Sequence, residues 1–189
     1  MRPFPSQRAI LLLLFAAGVV LPSIALAQPK PPAAGPTAQA TLLGQFGDWG
    51  AYTASPGGAK VCFALAKPTS SVDVPPNRRT AANVVYMFIS TRPAENVKDE
   101  VSMLVTGYQL KSNTEATVSV GTANFAMYTQ NDGAWVKNAA EETQLVEAMR
   151  KGQDAVIKAT SSRGTKTTDT FSLKGISQAL ERVAQECKS

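Results

Sequence analysis

Two stretches of the chain set an arginine among hydroxyls: Ser90-Thr91-Arg92-Pro93, with Glu100 nearby, and Ser161-Ser162-Arg163-Gly164-Thr165, followed by Thr168-Asp169-Thr170. Arginine presents a planar fork of donors that matches a carboxylate or a phosphate, so each stretch suits an anionic ligand or partner. The same residues also read as an arginine paired with a carboxylate to close a loop, which is the commoner arrangement at loops and surfaces. Four carboxylates that acid–base chemistry would need, Asp48, Glu95, Glu100 and Asp169, are scattered rather than clustered. Histidine is absent, so no Ser-His-Asp or Cys-His nucleophile and no imidazole metal ligand exists. The two cysteines, Cys62 and Cys187, are too few and too far apart for a structural zinc site. Ser70, Ser71, Ser161 and Ser162 could act with a lysine, but none stands in an SxxK spacing at a helix start. The residue inventory therefore predicts no enzyme, no metal and no cofactor.

The elements that must hold these residues are mostly strands. Apolar-rich runs at 50–53, 60–66, 84–90, 100–104, 116–120 and 124–128 contain β-branched or aromatic residues and are broken by turn clusters such as Ser55-Pro56-Gly57-Gly58. They follow one another too closely for βαβ crossovers, which predicts a mainly β domain, an antiparallel sandwich or a barrel-like sheet. Asn131-Asp132-Gly133 between 125–129 and 134–136 marks a hairpin. Residues 139–151 read as a helix: Asn138 can cap it, Glu141 and Glu142 lie in its first turn, Arg150 and Lys151 in its last, and Gly152 stops it. Strands resume at 155–161 and 167–173. A second helix at 175–187 carries Ile176, Ala179, Leu180, Val183 and Cys187 on one face. Trp49 and Trp135 read first as packing residues and second as a recognition surface.

Arg2 and Arg8 precede an unbroken apolar run over 9–21, and Ala25-Leu26-Ala27 offers the small residues of a signal-peptidase site. The run is shorter than the roughly 20 residues that span a bilayer, so the expectation is a signal peptide over 1–27, cleaved after Ala27. The segment 28–40, QPKPPAAGPTAQA, reads as an extended Pro/Ala-rich tether. Residues 41–189 then form a single domain of ordinary size. Removal of 1–27 leaves 17 basic residues against 14 acidic, and these interleave, as in Lys98-Asp99-Glu100, where nucleic-acid binding favours a basic run or face. An exported chain meets oxidising conditions. Cys62 lies in an apolar strand and Cys187 on the apolar face of the last helix, so a Cys62–Cys187 disulfide is expected, the alternative being two separate buried thiols.

Phe46-Gly47-Asp48-Trp49, Val61-Cys62, Lys67-Pro68, Phe88-Ile89-Ser90 with Arg92-Pro93, Glu100-Val101-Ser102 and Asp169-Thr170-Phe171-Ser172-Leu173-Lys174-Gly175 together resemble the invasion-associated locus B family over about 46–187. The resemblance implies an exported periplasmic or envelope protein of Gram-negative bacteria, with a role in host-cell invasion in pathogens. More typical members carry further cysteines near the hairpin and after the Asp-Trp motif, whereas 127–134 and 50–55 hold none here. The expected function is a non-enzymatic module that binds an envelope or host protein or another envelope component, without a membrane span after processing. Arg92, Glu100, Arg163, Asp169, Trp49 and Trp135 are its candidate contacts. The competing expectation is a small-anion-binding or enzyme-like domain that uses Arg92 and Arg163.

Overall fold

Alternating burial along short strands, interrupted by turn residues, dictates the architecture of the computed structural model, which describes residues 39–188. The elements are β1 Thr41–Phe46, β2 Trp49–Ala54, β3 Val61–Ala66, β4 Ser70–Val74, β5 Val85–Arg92, β6 Val97–Val105, β7 Glu115–Val120, β8 Ala123–Gln130, β9 Gly133–Val136, α1 Ala139–Lys151, β10 Asp154–Thr160, β11 Lys166–Ser172 and α2 Ile176–Glu186. The expected signal peptide and nearly all of the expected tether lie outside the described residues. The strands form one antiparallel sheet in the order β1-β2-β3-β5-β6-β9-β8-β7-β10-β11-β4. The expected class, mainly antiparallel β with two helices of which the last is C-terminal, is the observed one, and the sheet is not a closed barrel.

Chain length forces that sheet to roll. Only Lys67, Pro68 and Thr69 join β3, third in the order, to β4, eleventh. Four Cα steps reach about 14 Å, while eight flat strand spacings would need about 38 Å. The sheet therefore curls until its two ends meet, and the contacts there confirm it. The Trp49 indole N–H donates to the Ser172 carbonyl at 2.9 Å, and the Asp48 amide donates to Lys174 O at 3.0 Å.

The inner face of the roll is the core. Along β3, Cys62, Ala64 and Ala66 are buried while Val61, Phe63 and Leu65 face outward and are partly exposed. Small inner residues such as Ala51, Ala64 and Ala66 let α2 settle on β1, β2 and β3 through Ile176, Ala179, Leu180 and Val183. Each large side chain of that face contributes about 1.5–3 kcal/mol of burial. Helix α1 covers β6 to β9 with Leu145, Val146 and Met149. Its start and stop are those expected: the Asn138 side chain accepts from the Ala140 amide at 2.9 Å and Gly152 ends it.

Cys62 and Cys187 are bonded to each other, with Cα atoms 5.9 Å apart and 125 positions between them in sequence. The alternative of two buried thiols is thereby set aside. Beside the bond, Lys60 contacts a Glu186 carboxylate oxygen at 2.9 Å and donates to the Glu186 carbonyl at 2.6 Å, so the end of α2 is clasped twice.

Candidate functional site

Asp169 lies on β11 between Thr167 and Phe171, on the inward side of the strand, and is fully buried. A carboxylate there requires a cation. Arg163 does not supply it: the 161–165 turn carries Arg163 out into solvent. The partner is Arg79, from the loop after β4. Its Nη1 donates to Asp169 Oδ1 at 2.7 Å and its Nε to Asp73 Oδ1 at 2.6 Å. The Arg79 amide adds a bond to Asp73 Oδ2 at 2.9 Å, and Ser71 Oγ donates to Asp169 Oδ1 at 2.6 Å. Burial works against the Arg79 charge, yet the bonds and field of Asp169 and Asp73 outweigh it and hold the guanidinium above its ordinary value. The Tyr108 hydroxyl lies in the same region without a hydrogen-bond partner. Burial, opposed by the nearby Arg79 charge, pushes it up to about 12.

At the turn between β5 and β6, Arg92 donates from Nη1 and Nη2 to the two oxygens of Glu100 at 3.0 and 2.8 Å, and from Nε to Glu95 at 2.8 Å. The bond to Glu100, with the further one to Glu95, raises Arg92 above its ordinary value against the opposing effect of burial. Arg92 and Glu100 are thus brought together as a loop-closing pair, and each of the three guanidinium nitrogens of Arg92 donates to a carboxylate. Glu142 on α1 accepts from the Val101 amide at 3.1 Å, and burial raises its carboxyl above the usual range. The cavity that Arg163 lines does not include Arg92, so the two candidate anion-binding arginines do not converge there.

The two tryptophans part company. Trp49 is fully buried and ties the roll together, so it is not available to a partner, and neither is Asp169. Trp135 faces outward on β9 and stacks on Tyr128 of β8, with ring centroids 5.6 Å apart and planes at 23°. Phe88, Ser102, Trp135 and Tyr128 stand directly opposite one another across β5, β6, β9 and β8. The row extends through Phe88 to Phe63 at 5.6 Å and from Phe63 to Tyr52 at 5.4 Å, the latter pair stacked at 12°. Tyr86 lies 6.1 Å from Phe88, with the Lys67 ammonium 5.6 Å above its ring. The rings lie down on the sheet because glycine lets them: a Cβ at Gly133 would meet the Trp135 ring at 2.2 Å, and one at Gly50 the Tyr52 ring at 2.6 Å. Both helices pack against the inner face, and Tyr128 is 44% exposed. Six aromatic side chains therefore line an outer face that no described element covers.

The sequence signals read separately as Phe46-Gly47-Asp48-Trp49 and Leu173-Lys174-Gly175 touch in space. Gly175 has φ 92°, and a Cβ on it would come within 1.9 Å of the Phe46 carbonyl oxygen. Gly47, at φ 55°, approaches Lys174 O in the same way. These glycines let two backbone segments meet where side chains would hold them apart.

Among the described residues, no group of three or more His, Cys, Asp or Glu is placed to hold a metal ion, and no helix is long and apolar enough to cross a membrane. A family model described as Invasion associated locus B (IalB) protein matches residues 49–184. No curated protein and no solved structure matches the chain significantly.

Proposed function

Because the chain belongs to the invasion-associated locus B family, we propose that it is an exported, non-enzymatic protein of the bacterial envelope that binds a protein partner through the outer aromatic face of its sheet. The observation that carries this reading is the row Tyr52, Phe63, Phe88, Trp135 and Tyr128, with Tyr86 beside it, left uncovered on the rolled sheet. Uncovered apolar patches of this kind mark interaction sites, and Tyr, Trp and Phe are the residue types that anchor protein interfaces. Lys67 at the edge of the row favours a partner that presents a carboxylate there.

Export is supported by the family and by the disulfide, which forms and persists outside the cytoplasm. In this reading residues 1–27 are removed after Ala27, 28–40 tether the protein, and 41–189 form the binding domain. The family is not a known enzyme family, and the side-chain donors of Arg92 serve structure. The invasion association in the family's description fits a protein whose partner lies in the envelope or on a host cell, and no cofactor enters this role.

Cell fractionation and a pull-down from envelope extracts test the proposal together. A processed form beginning at Gln28 in the periplasmic or secreted fraction is expected, together with a captured protein that is lost when Phe88 and Tyr128 are both changed to Ser. Full-length cytoplasmic protein, or capture unaffected by the double change, contradicts it.

A further inference from the structure

Three loops meet at one end of the roll: the β4–β5 connection, the start of the β6–β7 connection, and the β10–β11 turn. They enclose a cavity of about 340 Å³ whose wall includes Arg78, Arg79, Tyr108, Ser162 and Arg163. Its size falls at the lower end of small-molecule sites, and the mouth of a rolled sheet is a usual place for one. None of these loops carries a residue of the aromatic row.

The wall is held in place by backbone bonds. Ser162 N donates to Gln109 O and Lys111 N to Thr160 O, both at 2.8 Å, and Leu110 bridges Ser161. Within the turn, Ser161 N donates to Thr165 O at 2.8 Å, and Thr165 N returns a bond to Ser161 Oγ at 3.1 Å. Arg79 is immobilised by Asp73 and Asp169, as described above. The site is therefore formed before any ligand arrives, which lowers the ordering cost of binding.

The charges are asymmetric. Arg79 is shared by two aspartates, whereas Arg78 and Arg163 are exposed and neither belongs to an ion pair among the described residues. Arg78, Arg79 and Arg163 thus line the cavity, and no carboxylate lines it with them. Tyr108 also lines the cavity, but its hydroxyl is closed to solvent beside Arg79, so the charged groups a ligand meets are the two exposed arginines. Two unpaired cationic forks at one cavity define an anionic ligand.

We propose that this cavity binds a small anion, its oxyanion held by Arg78 and Arg163. Phosphate and carboxylate share the required chemistry, since both accept paired donors from a guanidinium.

The test is a titration of the ¹⁵N-labelled processed protein, read by amide chemical shifts. The probes are glycerol 3-phosphate, glucuronate, inorganic phosphate and, as the neutral control, glycerol. Saturable shifts at Tyr108, Ser162 and Gly164 are expected with glycerol 3-phosphate or glucuronate and not with glycerol, and the tighter of the two anions distinguishes phosphate from carboxylate. The double change R78A/R163A should weaken binding about tenfold or more, the usual effect of losing charged hydrogen bonds. No saturation with either organic anion overturns the proposal, as does saturation that R78A/R163A retains. The arginines are exposed, so unchanged shifts elsewhere in the spectrum will separate lost binding from lost folding.

Discussion

Replacing Arg79 by Met isolates the electrostatic knot that closes the open edge of the sheet. In the wild type its guanidinium reaches Asp73 at 2.6 Å and Asp169 at 2.7 Å, and the side chains of Arg79, Asp73 and Asp169 are 11%, 7% and 0% exposed. Met fills a similar volume but leaves Asp169 buried with Ser71 Oγ as its only side-chain partner. Removing one partner of a buried pair costs about 3–5 kcal/mol, because the remaining charge is uncompensated. For a domain of about 5–15 kcal/mol total stability, that is about a fifth or more of what holds it folded. Urea denaturation followed by tryptophan fluorescence reads the loss, since the fully buried Trp49 reports on the core. The further change Asp169→Asn removes the stranded charge, so R79M/D169N should be more stable than R79M alone, with a coupling of about 1–3 kcal/mol. A loss below about 1 kcal/mol for Arg79→Met, or simple addition of the two single losses, would refute this reasoning.

Cys62→Ser and Cys187→Ser should each destabilise by about 2–5 kcal/mol, and the double variant no more than either, because all three open the same loop; additive losses in denaturant melts count against it. Gly175→Ala should cost at least about 2 kcal/mol, since strain at positive φ is joined by a Cβ 1.9 Å from Phe46 O, whereas Gly164→Ala, at φ 84° with open space around it, should cost only about 1 kcal/mol. In an alkaline absorbance titration, the step that vanishes in Tyr108→Phe should lie near 12. The folded-state value lies above the ordinary 10, so ionisation opposes folding and stability should fall as pH rises above 10. A Tyr108 step near 10 would contradict the burial of that hydroxyl.

What the sequence disclosed follows from where its signals are local. Asn138, Glu141, Glu142 and Gly152 act within one helix, and α1 has the bounds they predict. Asn131-Asp132-Gly133 turns β8 into β9, with Asn131 at φ 53°. The disulfide was legible because both cysteines carry inward-facing periodicity and no third competes. By contrast, the edge strands β1 and β4 escaped notice. TLLGQF is broken by a register shift between Leu42 and Gly44, and SSVDV is paired on one side only, so neither shows an alternating apolar face. Arg79 was not legible at all: it sits in a Pro-Pro-Asn-Arg-Arg loop 90 residues from Asp169, and only the roll of the sheet brings them together. The pairing of Asp169 with Arg163 failed for the same reason, since strand alternation turns the first inward and the hairpin turn sends the second out. The aromatic row was hidden because its members come from five strands, each contributing one or two rings.

Binding through the aromatic face is tested most directly by photo-cross-linking in intact cells, with benzoylphenylalanine placed at Tyr128, at Phe63 and, as a control on the outer face of β10, at Lys158. Binding at this face predicts a discrete protein adduct of one size from positions 128 and 63 and none from 158. No adduct at either aromatic position, or the same adduct from Lys158, would contradict it.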